Sequence, residues 1–238
     1  MAQYRKDTHE YLSDGKTIFE VVMLADHDGN MIGPANPSGM AVDAFGRARV
    51  STPLTLFDSS HRYRDNGLWS TSNTATATYA HNANAGLVQL SLDTTANAEV
   101  VRETYKVFAY QPGKSLQVLN TFVFNQPKSG LRQRIGYYGT QNGIFLEQDG
   151  TDIYFVKRSY VSGSVVETRV AQADWNQDTL LGDASSSPSK LTLDLTKVQI
   201  LFTDVEWLGA GTVRCGFVVN GQLIHCHSFN HANAIDST

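Results

Sequence analysis

The sequence predicts an all-β protein, an antiparallel, jelly-roll-like β-sandwich with an extended N-terminal arm. Short runs rich in Val, Ile, Thr, Tyr and Phe alternate with Gly, Asn, Asp and Pro clusters at about ten-residue spacing, which is typical of sandwiches and barrels. Hydrophobic residues are 41% of the chain and charged residues 18%, which is enough apolar surface for a core. Two dipeptides, Asp149-Gly150 and Asn220-Gly221, are preferred in two-residue hairpin turns.

The first element is an N-terminal arm with a linker, residues 1–42. A strand is expected at residues 17–25, followed by a glycine- and proline-rich stretch at 33–39. A single strand cannot bury itself, so a tethered strand is suited to joining the sheet edge of a neighbouring chain. An ordinary first strand, packed on its own domain, is an equal alternative. The residues expected to mediate assembly are apolar: Ile18, Phe19, Val21, Val22 and Leu24.

The body, residues 43–238, is expected to contain ten strands and one short helix. The helix would run from Asp174 to about Leu181, because the Asp174 carboxylate could cap the backbone donors of Asn176 and Gln177. The predicted strands are 87–93, 100–109, 115–124, 131–138, 144–148, 153–161, 165–171, 197–208, 212–219 and 222–229.

The turn at Asn220-Gly221 predicts the register of the last hairpin. It places Cys215 opposite Cys226 and Phe217 opposite Ile224 on one apolar face. The cysteines are therefore expected to touch across the ladder as thiols, because two cysteines are too few for a secreted disulfide scaffold.

The turn at Asp149-Gly150 similarly predicts that Ile144 pairs with Phe155 and Leu146 with Ile153. The stretches 116–124 and 198–207 are apolar at both odd and even positions, so both of their faces are expected to be covered. The cover would come from the same sandwich or from another subunit.

Charge and hydropathy exclude several classes of partner. A formal net charge of −4 gives no broad attraction to phosphate, so neither nucleic acid nor an anionic membrane is an expected partner. The polar N-terminus lacks the apolar core of a signal peptide, and no uninterrupted apolar run approaches 18 residues. We therefore expect a protein that is made and kept in a cytosol.

Candidate metal and nucleotide motifs fail when their spacing is tested, and no cofactor is expected. Residues 26–30 resemble a calcium loop, but Met31 and Pro37 stand where an EF-hand needs Gly and Glu. Residues 112–115 resemble the end of a phosphate-binding loop, but a strand follows where a helix is required. His225, His227 and His231 could suggest a metal, but Arg214 would lie opposite His227 in the predicted register.

No motif of an acyl-transfer, dinucleotide or metalloprotease site occurs, and the chain is interpreted as a structural or binding protein without catalytic residues. Glycosidases leave no local motif, so the acids to test are Glu147, Asp149, Asp204 and Glu206, although solvated strand and turn positions are the preferred interpretation. Four aromatic residues are candidates for stacking on glycans, although most aromatic residues in such folds are core: Tyr137, Tyr138, Tyr154 and Trp175.

The segment Asp43-Ala-Phe-Gly-Arg-Ala-Arg-Val-Ser51 resembles virion structural proteins of tailed bacteriophages, particularly those of marine and cyanobacterial phages. Three further stretches also look like that group: 55–59, 110–114 and 207–221. The resemblance implies a virion protein assembled in the host cytoplasm, in the head or in the tail.

The leading hypothesis is a capsid decoration protein that binds the major capsid protein and its own copies, with a homotrimer expected by analogy. The alternative is a tail-fibre or adsorption module that binds host surface glycans through exposed aromatic residues.

Overall fold

The structure is a computed structural model that describes residues 54–109, 114–206 and 211–234. Within these ranges the chain is nearly all β, with antiparallel pairing throughout, as predicted. The strands are β1 Trp69–Thr74, β2 Thr78–Asn82, β3 Leu87–Ser91, β4 Glu99–Thr104, β5 Leu116–Phe122, β6 Arg132–Tyr138, β7 Gly143–Asp149, β8 Asp152–Ser159, β9 Val166–Ala171, β10 Gln199–Val205, β11 Thr212–Val219 and β12 Gln222–Asn230.

Several sequence predictions concern residues outside the described ranges. These are the arm at 1–42 with Ile18, Phe19, Val21, Val22 and Leu24, the calcium-like loop at 26–30, the phage-like segment at 43–51, and parts of the stretches at 110–114 and 207–221.

Two four-stranded sheets form a sandwich-like body. Sheet A has the order β12-β11-β10-β5, and sheet B has the order β6-β7-β8-β9. Alternation along the strands directs apolar side chains inward from both sheets, so they meet in one core. The Phe155 ring of sheet B packs against Trp175 with ring centroids 4.3 Å apart, and its centroid lies 6.2 Å from that of Phe217 of sheet A. The core residues are Phe124, Ile144, Leu146, Phe155, Trp175, Leu180, Leu195, Leu201, Val213, Cys215, Phe217, Cys226 and Phe229.

The jelly-roll-like detail of the prediction is not confirmed. A jelly roll uses Greek-key crossings to interleave its strands between two sheets. Here β6 to β9 are four consecutive hairpin-connected strands of one sheet, and β10 to β12 are consecutive in the other. The local turn signals predict hairpins well, but they carry no information about which sheet a hairpin joins.

The predicted helix at 174–181 is wrong. The only helical turn in the described residues is a 3-10 turn over Gln172–Asp174, and the extended chain after it lies along β12. Backbone N–H groups of Gln177 and Asp178 both donate to the Cys226 carbonyl. Asn176 donates through its amide to the Ser228 carbonyl and accepts from the Ser228 N–H. Pairing with a sheet edge therefore satisfies donors that a helix would have used.

The last hairpin follows its predicted register only near the turn. Asn220 and Gly221 both have positive φ, and Phe217 pairs with Ile224 as expected. Between Cys215 and Gly216 a β-bulge shifts the ladder by one residue, so Cys215 faces His227 instead of Cys226. The two cysteines are buried free thiols, and burial raises the pKa of each.

The turn between β7 and β8 lies one residue later than predicted, at Gly150-Thr151. Gly150 has φ +61° at the first central position, as a type II′ turn requires. Leu146 consequently pairs with Phe155, and Ile144 pairs with Lys157. Because the ladder moves by two residues, each side chain keeps its predicted face.

Residues 69–104 form a two-stranded ribbon that is separate from both large sheets. β1 pairs with β4 and β2 pairs with β3, so the inner hairpin continues the outer one after interruptions at 75–77 and 92–98. Strands β1 and β2 were not predicted, because the sequence Trp-Ser-Thr-Ser-Asn-Thr of β1 lacks an apolar alternation.

Candidate functional site

The ribbon and its flanking residues, 54–109, contain almost no buried residues. Ala77 is the only buried residue in this segment. The segment carries ten of the nineteen exposed large hydrophobic side chains in the described residues: Leu54, Leu56, Tyr63, Leu68, Tyr79, Leu87, Leu90, Leu92, Tyr105 and Val107. Large exposed apolar patches are typical of interaction sites, so this segment is the candidate functional site.

Polar and aromatic contacts give the ribbon a local order. Arg102 donates to both carboxylate oxygens of Asp65 at 2.9 Å and to the Thr71 hydroxyl at 2.8 Å. Its guanidinium also lies over the rings of Trp69, at 5.7 Å, and Tyr79, at 5.9 Å. These contacts fix one face of the ribbon without enclosing a core.

The outer face of sheet B carries a network of charges centred on Glu147. The Glu147 side chain is fully buried although it points away from the core. Arg134 Nε lies 2.5 Å from its carboxylate, Arg169 forms a second ion pair, and Arg132 Nε lies 3.7 Å away. Asp149 pairs with Arg132 at 2.7 Å and Arg169 at 3.0 Å, and these hydrogen bonds lower the pKa of its carboxyl.

The structure separates the four predicted glycan-stacking residues. Trp175 is 4% exposed and lies in the core, so it cannot stack on an external sugar in this fold. The Tyr137 hydroxyl donates to the Phe108 carbonyl, and its side chain alternates to the face opposite Tyr138. Tyr138 and Tyr154 share the outer face of sheet B, where they lie against arginine guanidinium groups.

The remaining two acids singled out from the sequence, Asp204 and Glu206, share one arginine. Arg214 Nη1 lies 3.2 Å from Asp204, and Arg214 Nη2 forms an ion pair with Glu206. All four acids, including Glu147 and Asp149, therefore contact arginine. The sequence could not predict these contacts, because the partners come from other strands.

The three histidines considered as metal ligands lie in different environments. His225 points to the outer face of sheet A, where its Nε2 lies 2.9 Å from the Ser228 hydroxyl. His227 lies in the core side of the sheet and accepts from the Asn176 N–H through Nδ1. His231 Nε2 lies 2.9 Å from Lys157 Nζ. No group of three or more potential metal ligands occurs among the described residues.

Burial of His227 predicts acid sensitivity. Burial, with a smaller contribution from His225, lowers the pKa of His227 from 6.5 to about 4. Between these values the unfolded chain binds a proton that the folded chain does not, so stability is complete above pH 6.5 and is lost as the pH falls towards 4. We expect the free energy of unfolding to fall by about 3 kcal/mol over this range.

Urea denaturation at pH 7, 5.5 and 4 measures this decrease. The substitution His227→Gln should flatten the pH dependence, because it removes the titrating group. An unchanged slope in that variant would assign the acid sensitivity to other groups.

Compared with known proteins, the chain matches no family model, no curated protein and no solved structure. In the part of the chain that the structure describes, no helix is long and apolar enough to span a membrane. A functional assignment therefore depends on the residues and surfaces described above.

Proposed function

We propose that this chain is a bacteriophage virion structural protein, and that it acts as a capsid decoration protein that binds the major capsid protein and copies of itself. The observation that carries the proposal is the segment 54–109, which is ordered around a single buried residue. The phage resemblance of residues 43–51 supplies the biological setting.

Energetics support an assembly role for the ribbon. Ordering a backbone opposes folding by about 1–2 kcal/mol per residue, and a two-stranded hairpin is marginal in water without a covering layer. The segment exposes ten large hydrophobic side chains, so contact with another protein surface would supply the missing burial. A capsid shell, or a neighbouring copy, offers such a surface.

The electrostatics of the acids also support a structural role. A glycosidase needs one carboxyl group that stays protonated to act as an acid. Glu147, Asp149, Asp204 and Glu206 each form an ion pair with arginine, and the hydrogen bonds from Arg132 and Arg169 lower the pKa of the Asp149 carboxyl. The same contacts stiffen the outer faces of both sheets.

The role of the N-terminal arm in this proposal is inferred from the sequence. Its apolar segment at 18–24 would dock on a neighbouring chain, and a homotrimer is the oligomer that we propose by analogy.

Immunogold labelling of intact phage particles with antibodies to this chain tests the proposal. Gold on the heads is the expected result. Gold confined to the tails, or particles without label, would exclude the decoration function.

The outer face of sheet B favours a second candidate, a tail-fibre or adsorption module. Tyr138 and Tyr154 lie half-buried on this face beside Arg158 and Arg169, and an aromatic ring with an accessible face can stack on a sugar. Glycan-array binding that is lost in Tyr138→Ala and Tyr154→Ala, but kept in the control Tyr160→Ala, would establish this function.

A further inference from the structure

The four edge strands of the sandwich differ in how well they are protected against pairing with another chain. In sheet A, the segment after Trp175 occupies the edge of β12 through the hydrogen bonds to Cys226 and Ser228. In sheet B, β6 carries Arg132 and Arg134, and β9 carries Glu167 and Arg169. Charged residues on an edge strand oppose pairing with another chain.

Strand β5 has neither kind of protection. Its sequence, Leu-Gln-Val-Leu-Asn-Thr-Phe over 116–122, contains no charged residue and no proline, and its pairing with β10 has no bulge. It is the terminal strand of sheet A, and no strand of the described residues is hydrogen-bonded to its free edge. Leu119 is 57% exposed and Val123 is also exposed. An edge of this composition is a template for strand addition.

Asn120 indicates which strand would be added. Its side chain lies on the inner face of β5, opposite Leu201 of β10. The side-chain oxygen of Asn120 is buried and has no hydrogen-bond partner among the described residues. A buried unsatisfied acceptor is destabilising, so a donor from a neighbouring strand would be favourable. An amide is the group that can both donate to it and accept from it.

We propose that β5 pairs antiparallel with β5 of a second copy about a two-fold axis at Asn120. In this register Val118 faces the partner's Phe122, and the two Asn120 amides lie opposite one another, where each could donate to the other's oxygen. Two four-stranded sheets would become one of eight strands. The contact is isologous, as a two-fold axis requires, so it is distinct from the contacts within the homotrimer proposed by analogy. It deepens the proposed assembly function, on which it rests.

A charge on the exposed side of β5 tests the pairing in the full chain. Leu119→Lys places two like charges near the two-fold axis, whereas Leu223→Lys adds the same charge at a residue with 55% exposure on β12. Sedimentation velocity should show that Leu119→Lys weakens the pairing about tenfold or more, while Leu223→Lys leaves it unchanged. An unaltered mass distribution in Leu119→Lys would overturn the proposal.

Disulfide trapping tests the register and does not depend on the folding of the lysine variant. Asn120→Cys should give a covalent dimer under mild oxidation, because position 120 would face its own copy. Leu119→Cys is the control, since position 119 would face the partner's Thr121. The native cysteines are buried and do not compete.

A dimer from the control but not from Asn120→Cys would refute the Asn120 register. Failure of both would refute β5 pairing, while head labelling of virions would still stand. Efficient trapping together with gold confined to the tails would support the β5 pairing and exclude the decoration function.

Discussion

Replacing Gly216 with alanine is expected to lower the free energy of unfolding by about 4 kcal/mol. Gly216 lies in the centre of sheet A between β10 and β12, next to the bulge at which Cys226 is the extra residue of β12. A Cβ atom at this position would come within 2.7 Å of the Phe202 ring and even closer to the Ile224 carbonyl oxygen. That carbonyl belongs to the backbone of β12, so it cannot move without disturbing the ladder.

Urea denaturation measures the effect, with Gly139→Ala as the control. A Cβ atom on Gly139 would meet no atom within 4 Å, so that substitution should change stability by less than about 1 kcal/mol. Equal stabilities for the two variants would show that the ladder can open at the bulge at little energetic cost.

The second large effect is expected at Glu147. Glu147→Gln keeps the size of a fully buried side chain but removes the charge that Arg132, Arg134 and Arg169 share. Only Asp149 would then remain to balance Arg132 and Arg169. Removing one partner of a buried ion pair leaves uncompensated charge, so the loss should be about 4 kcal/mol.

Glu167→Gln provides the matched comparison, because Glu167 pairs with Arg158 alone at 2.7 Å and is partly exposed. We expect it to cost about 1 kcal/mol. The double variant Glu147→Gln/Arg169→Gln should recover part of the loss, since it removes one of the uncompensated charges. If the urea midpoint of Glu147→Gln equals that of the wild type, the Glu147 charge is not needed to stabilise the three arginines.

The sequence predicted strands well where hydrophobic pattern and turn chemistry agree. The Asn220-Gly221 turn gave the pairing of Phe217 with Ile224, because both turn residues need positive φ. The bulge beyond Gly216 has no comparable local signal. Next to the bulge, Gly216 lies against the Phe202 ring of β10, and the pattern of a single strand cannot report a contact with another strand.

The surfaces were harder to predict than the strands. Both faces of 198–207 were expected to be covered, and Leu201 and Phe202 are indeed buried on opposite faces of β10. The same expectation for 116–124 fails at Leu119, which is exposed. An apolar pattern indicates that a strand face should be buried. Only the position of the strand in the sheet shows whether its own chain buries that face.

The chain segment that is hydrogen-bonded to the edge of β12 also limits how many copies of this protein can associate through sheet A. A sheet that accepted new strands at both ends could extend without limit, as in fibrils. With residues 176–178 hydrogen-bonded along one border, sheet A can gain a neighbour only at the other. In the β5 pairing that we propose, the joined sheet would therefore stop at two copies and would not extend into a fibril.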